Sequence, residues 1–278
     1  MGVALSAPID EKPWYYPAAP VAALLAIVLT WVAISIWWQN ASLGACSYRL
    51  TYSPYSEAFS IWGLIYLWAF FGHCAQLSPA PIYTAPPLVN LLACLAWTLC
   101  AVWVVLFNPQ YRVAFVLSAV CISSAAASAV AAATLDWQTF EAPDLQQFFF
   151  SVVPNSLLGG WLLAASSLGG GSALLALRNV PPTCSQLSYA ERRSRNRRGT
   201  PEADAERRLS PVPVLLAIAV GVPSVWPLRN PILPLPLAWA IAMMGPWGKR
   251  GENYPILYAL AVAGLLGASV GAALRVAW

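Results

Sequence analysis

The chain contains a series of apolar stretches that are long enough to cross a membrane. In one of them, residues 57–77, a helix rising about 1.5 Å per residue reaches through a bilayer core of about 30 Å. Of the 278 residues, 59% are hydrophobic and 9% are charged, whereas soluble domains carry about 25% charged residues. Because lipid offers no hydrogen-bond partners and the apolar runs are continuous rather than alternating, we predict an all-α polytopic transmembrane bundle.

The apolar runs predict about eight spans, at residues 18–38, 57–77, 88–107, 113–135, 145–177, 212–226, 232–247 and 254–274. Span 4 is rich in Ala and Ser, which predicts close helix packing. Span 5 is too long for one straight crossing, and Gly169-Gly170-Gly171 is predicted to break or end it. The short runs 212–226 and 232–247 are either thin spans or one re-entrant pair, and we favour spans.

The spans divide the chain into three regions. Residues 1–178 form a five-helix membrane domain, 179–210 a basic disordered connector, and 211–278 a three-helix C-terminal membrane extension. Placing the connector inside puts 12 of the 15 Lys and Arg residues on that side, with both termini outside. The protein is therefore predicted to be an integral multi-pass membrane protein, and which membrane holds it stays open.

The same topology assigns the loops. The acidic segment 136–144 becomes an outer loop, whereas Cys46 and Cys184 lie in inner loops on the same side, which allows a disulfide between them. The other four cysteines lie in predicted spans, where a thiol usually acts as a small hydrophobic group. No cysteine spacing indicates a metal site.

Ionisable side chains are nearly missing from the predicted span interiors. His73, the only histidine, is the exception. It is a weak candidate for a haem ligand, because a hydrogen bond to backbone at the membrane interface explains it at least as well. The sequence has no paired carboxylates, no His cluster and no nucleophile or phosphate-loop motif. We therefore predict no catalytic residues, no metal site, no enzymatic activity and no nucleic-acid partner.

Aromatic side chains concentrate on one face of span 2. At about 100° per residue, one helical stripe carries Phe59, Trp62, Tyr66, Phe70 and His73. The stripe either lines a site for a flat apolar ligand or is ordinary helix-packing surface.

Single polar or proline residues mark two other spans. Asn90 in span 3 and Asn155 in span 5 each either form a hydrogen bond between helices or donate one to a ligand. Pro154 frees a backbone carbonyl and is expected to kink span 5.

A family resemblance starts in the loop before span 2. The segment Ser53-Pro54-Tyr55-Ser56-Glu57-Ala58-Phe59-Ser60-Ile61-Trp62-Gly63-Leu64-Ile65-Tyr66 resembles a signature of the tryptophan-rich sensory protein (TspO/MBR) family, related to the translocator protein. Residues 89–97 and 154–162, each of which ends near a tryptophan, are similar to that family's third and fifth helices. The 14 tryptophans agree with the family name. The resemblance covers roughly residues 18–178, so the chain is identified as an extended, eight-span relative.

The resemblance implies a bundle with a pocket between spans 1, 2, 3 and 5 for a flat apolar ligand: a tetrapyrrole, a sterol or another lipid. The positions carried over are Phe59, Trp62, Tyr66, Trp97 and Trp161. Cys94 stands where the family has an Asn, and Asn90 lies one turn earlier on the same face. The candidate ligand-binding set is completed by Asn90, Cys94 and Asn155.

The implied partners are the lipid bilayer and an apolar small molecule, with a tetrapyrrole as the one cofactor-like ligand. A sensing or transport role, and a homodimer or membrane-complex partner, stay open. Two other functions are also open: the protein is an accessory subunit of a membrane complex without its own ligand, or it is a small-molecule transporter.

Overall fold

The computed structural model describes residues 18–39, 46–47, 56–78, 83–108, 111–140, 144–178, 183–184, 230–244, 262–267, 269–271 and 273. Five of its helices are long and apolar enough to cross a membrane, which confirms the predicted all-α bundle. These are α1 (Ala18–Gln39), α2 (Ile61–Leu77), α3 (Pro87–Leu106), α4 (Arg112–Thr139) and α5 (Leu145–Leu177). A 3₁₀ turn, Ser56–Ser60, leads directly into α2.

Helix α4 is the centre of the packing, because it lies along both α3 and α5, while α1 packs against α3 and α2. Ala125, Ala126 and Ala129 of α4 are at most 2% exposed and share one core with Leu158 of α5. Small side chains of this kind let helix backbones approach closely without a large cavity or clash. The alanine-rich sequence of span 4 predicts this packing.

Helix α5 contains a π-helical turn, Phe148–Val152, immediately before Pro154. Because Pro154 has no N–H, carbonyls of the preceding turn lose a backbone donor. One of them, Phe149 O, instead accepts a hydrogen bond of 2.6 Å from Trp68 Nε1 on α2. The freed carbonyl is therefore satisfied from α2, at a π turn that precedes the proline, and the predicted kink of span 5 stays a prediction.

The predicted break of span 5 at Gly169-Gly170-Gly171 is wrong. Helix α5 continues without interruption from Val153 to Leu177. A Cβ on Gly169 would lie 3.3 Å from the Ile122 side chain of α4. This glycine therefore serves close packing between two helices rather than a turn.

A short C-terminal helix, α6 (Pro234–Met244), packs against α5. Just before it, Asn230 is fully buried, donates to Ser156 Oγ at 2.8 Å and accepts from the backbone N–H groups of Ile232 and Leu233. In the middle of α6, Trp239 Nε1 donates to Ala58 O in the 3₁₀ turn. Hydrogen bonds before and within α6 thus fasten it to the five-helix bundle.

The predicted eight spans and three regions are only partly within the described residues. Helix α6 has 11 residues within predicted span 232–247, and a second short apolar helical stretch lies within Val262–Gly271. Predicted span 212–226 and nearly all of the connector 179–210 lie outside the described residues. The count of eight spans and the region boundaries stay predictions.

Two short strands, β1 (Cys46–Ser47) and β2 (Thr183–Cys184), pair antiparallel. Their register sets Cys46 opposite Cys184. Since α2, α3, α4 and α5 lie between them in the chain, an even number of crossings returns β2 to the side of β1. The backbone pairing therefore agrees with the predicted placement of both loops on one side.

We predict that Cys46 and Cys184 form a disulfide when the purified protein is exposed to an oxidant. Directly opposed residues of an antiparallel pair have Cα atoms about 4.5–5.5 Å apart, within the range of about 4.4–6.8 Å that disulfides require. Peptide mapping by mass spectrometry without reductant should recover one linked peptide that Cys184→Ser abolishes. Cys121→Ser, in α4, serves as the matched control and should leave that peptide unchanged. Two unlinked peptides from protein isolated under oxidising conditions would contradict the prediction.

Candidate functional site

Five of the predicted site residues come together in one aromatic cluster, which we define as Phe59, Trp62, Tyr66, Trp97 and Trp161. The 3₁₀ turn and α2 supply the first three, α3 supplies Trp97 and α5 supplies Trp161. The ring centroids of Trp62 and Tyr66 are 5.3 Å apart, and those of Tyr66 and Trp97 are 5.2 Å apart. Trp161 meets Trp62 edge-on at 6.1 Å. These separations are those of interacting aromatic pairs.

The aromatic cluster is closed by its own rings. Trp97 is 1% exposed and Trp161 is 2% exposed, whereas Phe59, at the outer edge against Trp161, is 47% exposed. Helix α1 closes the remaining side with the small residues Ala23 and Ala26. The cluster is therefore packed inside and open to its surroundings at Phe59.

Two polar atoms inside the aromatic cluster have no hydrogen-bond partner among the described residues. These are the Tyr66 hydroxyl and the Trp161 Nε1, both fully buried. Buried hydroxyl and indole N–H groups nearly always find a partner, because leaving one unpaired costs about 1–3 kcal/mol. Both atoms belong to rings that contact Trp62, and each is left with unused hydrogen-bonding capacity.

A second group of residues surrounds a buried carboxylate that the sequence analysis places in a loop. Asp136 instead lies within α4, which continues to Thr139, and is 0% exposed. The predicted outer loop at 136–144 is therefore wrong at its start, and the predicted absence of acidic residues from the spans is wrong at this position. The hydropathy pattern predicts the end of span 4 at Leu135 only because the next residue, Asp136, is charged.

Four side chains hydrogen-bond to the Asp136 carboxylate. Ser151 Oγ donates to Oδ2 at 2.6 Å and Asn155 Nδ2 donates to the same oxygen at 3.0 Å. Gln147 Nε2 donates to Oδ1 at 3.4 Å, and Tyr83 OH lies at 3.5 Å from that oxygen. We call Asp136 with these four residues the carboxylate network. It ties α5 to α4 through predicted site residue Asn155.

A small cavity of about 10 Å³ lies between the carboxylate network and the aromatic cluster. This space holds about one water molecule. Ser151 and Asn155 line it on the network side, Trp97 lines it on the cluster side, and His73 with the hydrogen-bonded pair Gln76 and Asn90 completes the wall. The Asn90–Gln76 bond is 2.7 Å long and joins α3 to α2, as one of the two alternatives for Asn90 predicts.

The remaining predicted residues are placed as follows. His73 is 6% exposed, and its buried Nδ1 has no hydrogen-bond partner within the part of the chain that the structure describes, so no bond to backbone is seen there at this nitrogen. Cys94 is half-buried and packs at the margin of the core. Among the described residues, no three His, Cys, Asp or Glu side chains meet as a metal site would require. The space at His73 is far smaller than a haem.

The five long apolar helices define an integral multi-pass membrane protein whose solvent on the outer helix faces is the lipid bilayer. Exposed apolar residues such as Leu25, Leu29 and Trp31 of α1, each at least 60% exposed, fit that surrounding. Within this class, the chain belongs to the TSPO-like family. The model of that family, described as TSPO-like protein, matches residues 18–178, which end one residue beyond α5. No curated protein and no solved structure matches the chain.

Proposed function

We propose that this protein binds a flat apolar ligand, a tetrapyrrole, a sterol or another lipid, at the aromatic cluster between α1, α2, α3 and α5. The observation that carries the proposal is a pair of buried polar atoms in the aromatic cluster, Tyr66 OH and Trp161 Nε1, that have no partner among the described residues. Ligand sites are lined mostly by apolar and aromatic side chains, with a few polar groups in defined positions. The cluster has this composition. We propose binding alone, with no covalent chemistry.

The ligand enters by displacing a ring rather than by filling an existing void. The aromatic rings contact one another directly, and the cavity nearest to them holds only one water. Phe59 is the ring that can move at least cost, because it is nearly half-exposed and lies in a short 3₁₀ turn rather than in a long helix. A flat ligand in the place of Phe59 would meet the Trp161 ring edge-on, as Phe59 does.

A titration of purified protein tests this proposal. Dehydroergosterol, a fluorescent sterol, and protoporphyrin IX, a tetrapyrrole, both accept excitation energy from tryptophan, so binding is read from the loss of tryptophan emission. We expect saturable binding of at least one of them. Trp62→Ala and Tyr66→Ala should each weaken that binding roughly tenfold, because each removes a ring that packs against the ligand.

Trp31→Ala is the matched control. Trp31 lies on α1, outside the aromatic cluster, and is 64% exposed. This variant loses one fluorescent tryptophan, but the affinity taken from the midpoint of the titration should be unchanged. Equal midpoints for Trp62→Ala and Trp31→Ala would overturn the assignment of the site. Two other results would favour the alternative functions.

If the protein is isolated in a stoichiometric complex and binds neither ligand saturably, it is an accessory subunit. If the protein in liposomes carries a ligand across the membrane, it is a transporter.

A further inference from the structure

The cavity beside the aromatic cluster has polar walls on three helices, although it lies inside a membrane-spanning bundle. Its polar lining residues are His73 and Gln76 on α2, Asn90 on α3, and Ser151 and Asn155 on α5. Polar side chains within membrane spans are costly and mark functional sites by default. The volume of about 10 Å³ is the space of about one water molecule. A cavity of this size and polarity fits one small polar molecule.

His73 has an unused nitrogen at this cavity. The side chain lines the cavity and is 6% exposed, and its buried Nδ1 has no partner among the described residues. The large majority of buried polar side-chain atoms have a hydrogen-bond partner. In a neutral imidazole, the ring nitrogen that carries no hydrogen accepts one hydrogen bond. A donor in the cavity would therefore complete the surroundings of His73.

Asp136 lies behind the opposite wall without an opposite charge. It is 0% exposed, and its hydrogen-bond partners among the described residues are the neutral side chains of Tyr83, Gln147, Ser151 and Asn155. To bury an ionised carboxylate without a cation costs far more than to bury the neutral acid. The surroundings of Asp136 therefore favour the neutral acid, whose O–H group needs an acceptor.

Ser151 connects Asp136 to the cavity. Its Oγ lies 2.6 Å from Asp136 Oδ2, and the same side chain lines the cavity. At this distance the hydrogen bond runs in either direction, because a hydroxyl and a neutral acid can each donate and accept. With the proton on Oδ2, Asp136 donates to Ser151, and Asn155 Nδ2 donates to Oδ2 at 3.0 Å. Ser151 then keeps its own hydroxyl hydrogen for the cavity.

We propose that the cavity binds one water molecule and that this water completes a proton relay from Asp136 to His73 inside the membrane-spanning bundle. The hydrogen bonds run from Asp136 Oδ2 to Ser151 Oγ, from Ser151 to the water, and from the water to His73 Nδ1. The side-chain amides of Asn90 and Asn155 in the wall give the water a further partner. Buried waters typically make about three hydrogen bonds of this kind.

A proton crosses the relay in three linked transfers. The O–H bond of Asp136 breaks as a new one forms at Ser151 Oγ. Ser151 releases its original hydrogen to the water, and the water releases one of its own to His73 Nδ1. The products are a carboxylate at Asp136 and an imidazolium at His73, while Ser151 and the water are restored. One proton thus moves from α4 to α2, and the net charge of the site stays the same.

Few other titratable groups face the relay within the part of the chain that the structure describes. Tyr83 OH lies 3.5 Å from Asp136 Oδ1, and the partners of Asp136 on α5 are not titratable. Of the described residues that line the cavity, His73 is the titratable one. Asp136 and His73 are therefore the two ends of the relay. The relay does not depend on a ligand at the aromatic cluster.

Infrared spectroscopy of the protein in lipid at pH 7 tests the acid end. Exposed Asp and Glu are ionised at this pH, whereas a neutral carboxylic acid has its own C=O stretching band, which shifts in D₂O. We expect this band in the unaltered protein and its loss in Asp136→Asn. Asp144→Asn is the matched control and should keep the band, because Asp144 is exposed and caps the start of α5. Identical spectra for the unaltered protein and Asp136→Asn would overturn the proposal.

Nuclear magnetic resonance tests the water. His73 is the only histidine of the chain, so labelling with ¹⁵N-histidine gives the signals of one imidazole if the purification tag contains no histidine. In solid-state spectra we expect a cross peak between bound water and His73 Nδ1. Ser151→Ala should lose most of this peak, because the water loses a partner. Ser166→Ala is the control on the same helix, where Ser166 Oγ donates to Leu163 O, and should keep it.

A third measurement tests whether the two ends are connected. Because hydrogen bonds in a chain polarise one another, His73→Phe should shift the C=O band of Asp136 although the two side chains are separated by Ser151 and the water. An unchanged band in His73→Phe would overturn the relay. The absence of the water cross peak from the unaltered protein would do the same, and so would a peak that Ser151→Ala leaves unchanged. The two spectra of the unaltered protein need no substitution at the relay to fold.

Discussion

Gly72→Ala is expected to lower the thermal midpoint of the protein in detergent by about 5 °C or more, because it separates α2 from the π turn of α5. A Cβ on Gly72 would overlap the backbone oxygen of Phe150. A backbone atom cannot move aside as a flexible side chain can, so the two helices must shift. Overpacking of this kind costs about 1–3 kcal/mol.

The matched control is Gly63→Ala, two turns earlier on the same helix. A Cβ there has no other atom within 4 Å. Alanine also has the better helix propensity by about 0.5–1 kcal/mol, so this variant should be as stable as the original or slightly more so. Differential scanning fluorimetry of the two purified variants gives the comparison. An equal midpoint for both would show that the approach of α2 to Phe150 does not contribute to stability.

The aromatic cluster could be predicted because its members recur in a family signature. Trp62 and Tyr66 lie four residues apart on α2, a spacing that places them on one helix face. Trp97 and Trp161 lie on other helices, and helical spacing alone does not bring them to that face; the resemblance does. Their ring contacts with Tyr66 and Trp62 confirm that the residues meet. Whether they bind a ligand stays a proposal.

The carboxylate network could not be predicted in the same way. Hydropathy treats an acidic residue as the end of a span, so the sequence pattern places Asp136 in the loop after span 4. Its burial depends on donors from the next helix, Ser151 and Asn155, which are 15 and 19 residues away. One signal was available in the sequence. The Ala- and Ser-rich repeat of span 4 continues into Thr134 without a Gly or Pro before Asp136, as expected for a helix that does not end there.

The contact between the family's five helices and the C-terminal segment also lies beyond sequence reasoning. The family match covers residues 18–178, whereas Asn230 reaches back to bond Ser156 Oγ and Ala133 O. Apolar periodicity identifies a helix near 234–244 but contains no information on which face of the bundle receives it. The position of α6 on the bundle depends on the shape of the surface of α5. Because Gly160 has no side chain, the backbone of Leu233 can approach α5 closely at this point.

Gly160→Ala is accordingly expected to detach α6 from α5. A Cβ on Gly160 would overlap Leu233 O and lie 3.1 Å from Pro236 Cδ. Since the nearest atom is again backbone, the whole segment that begins at Asn230 must move. We expect amide hydrogens of residues 234–244 to exchange about tenfold faster, which corresponds to about 1.4 kcal/mol of lost local stability. Hydrogen–deuterium exchange with mass spectrometry measures this peptide by peptide.

Gly170→Ala, on the same helix, is the control, because a Cβ there has no other atom within 4 Å. It should leave exchange in α6 unchanged. The comparison also bears on ligand entry. Trp239 of α6 donates to Ala58 O, next to Phe59, so a detached α6 frees the turn that carries the displaceable ring. If α6 restricts entry, Gly160→Ala should speed the association of dehydroergosterol, measured by stopped-flow energy transfer from tryptophan. Faster exchange in α6 with unchanged association would show instead that α6 stabilises the bundle without controlling access to the cluster.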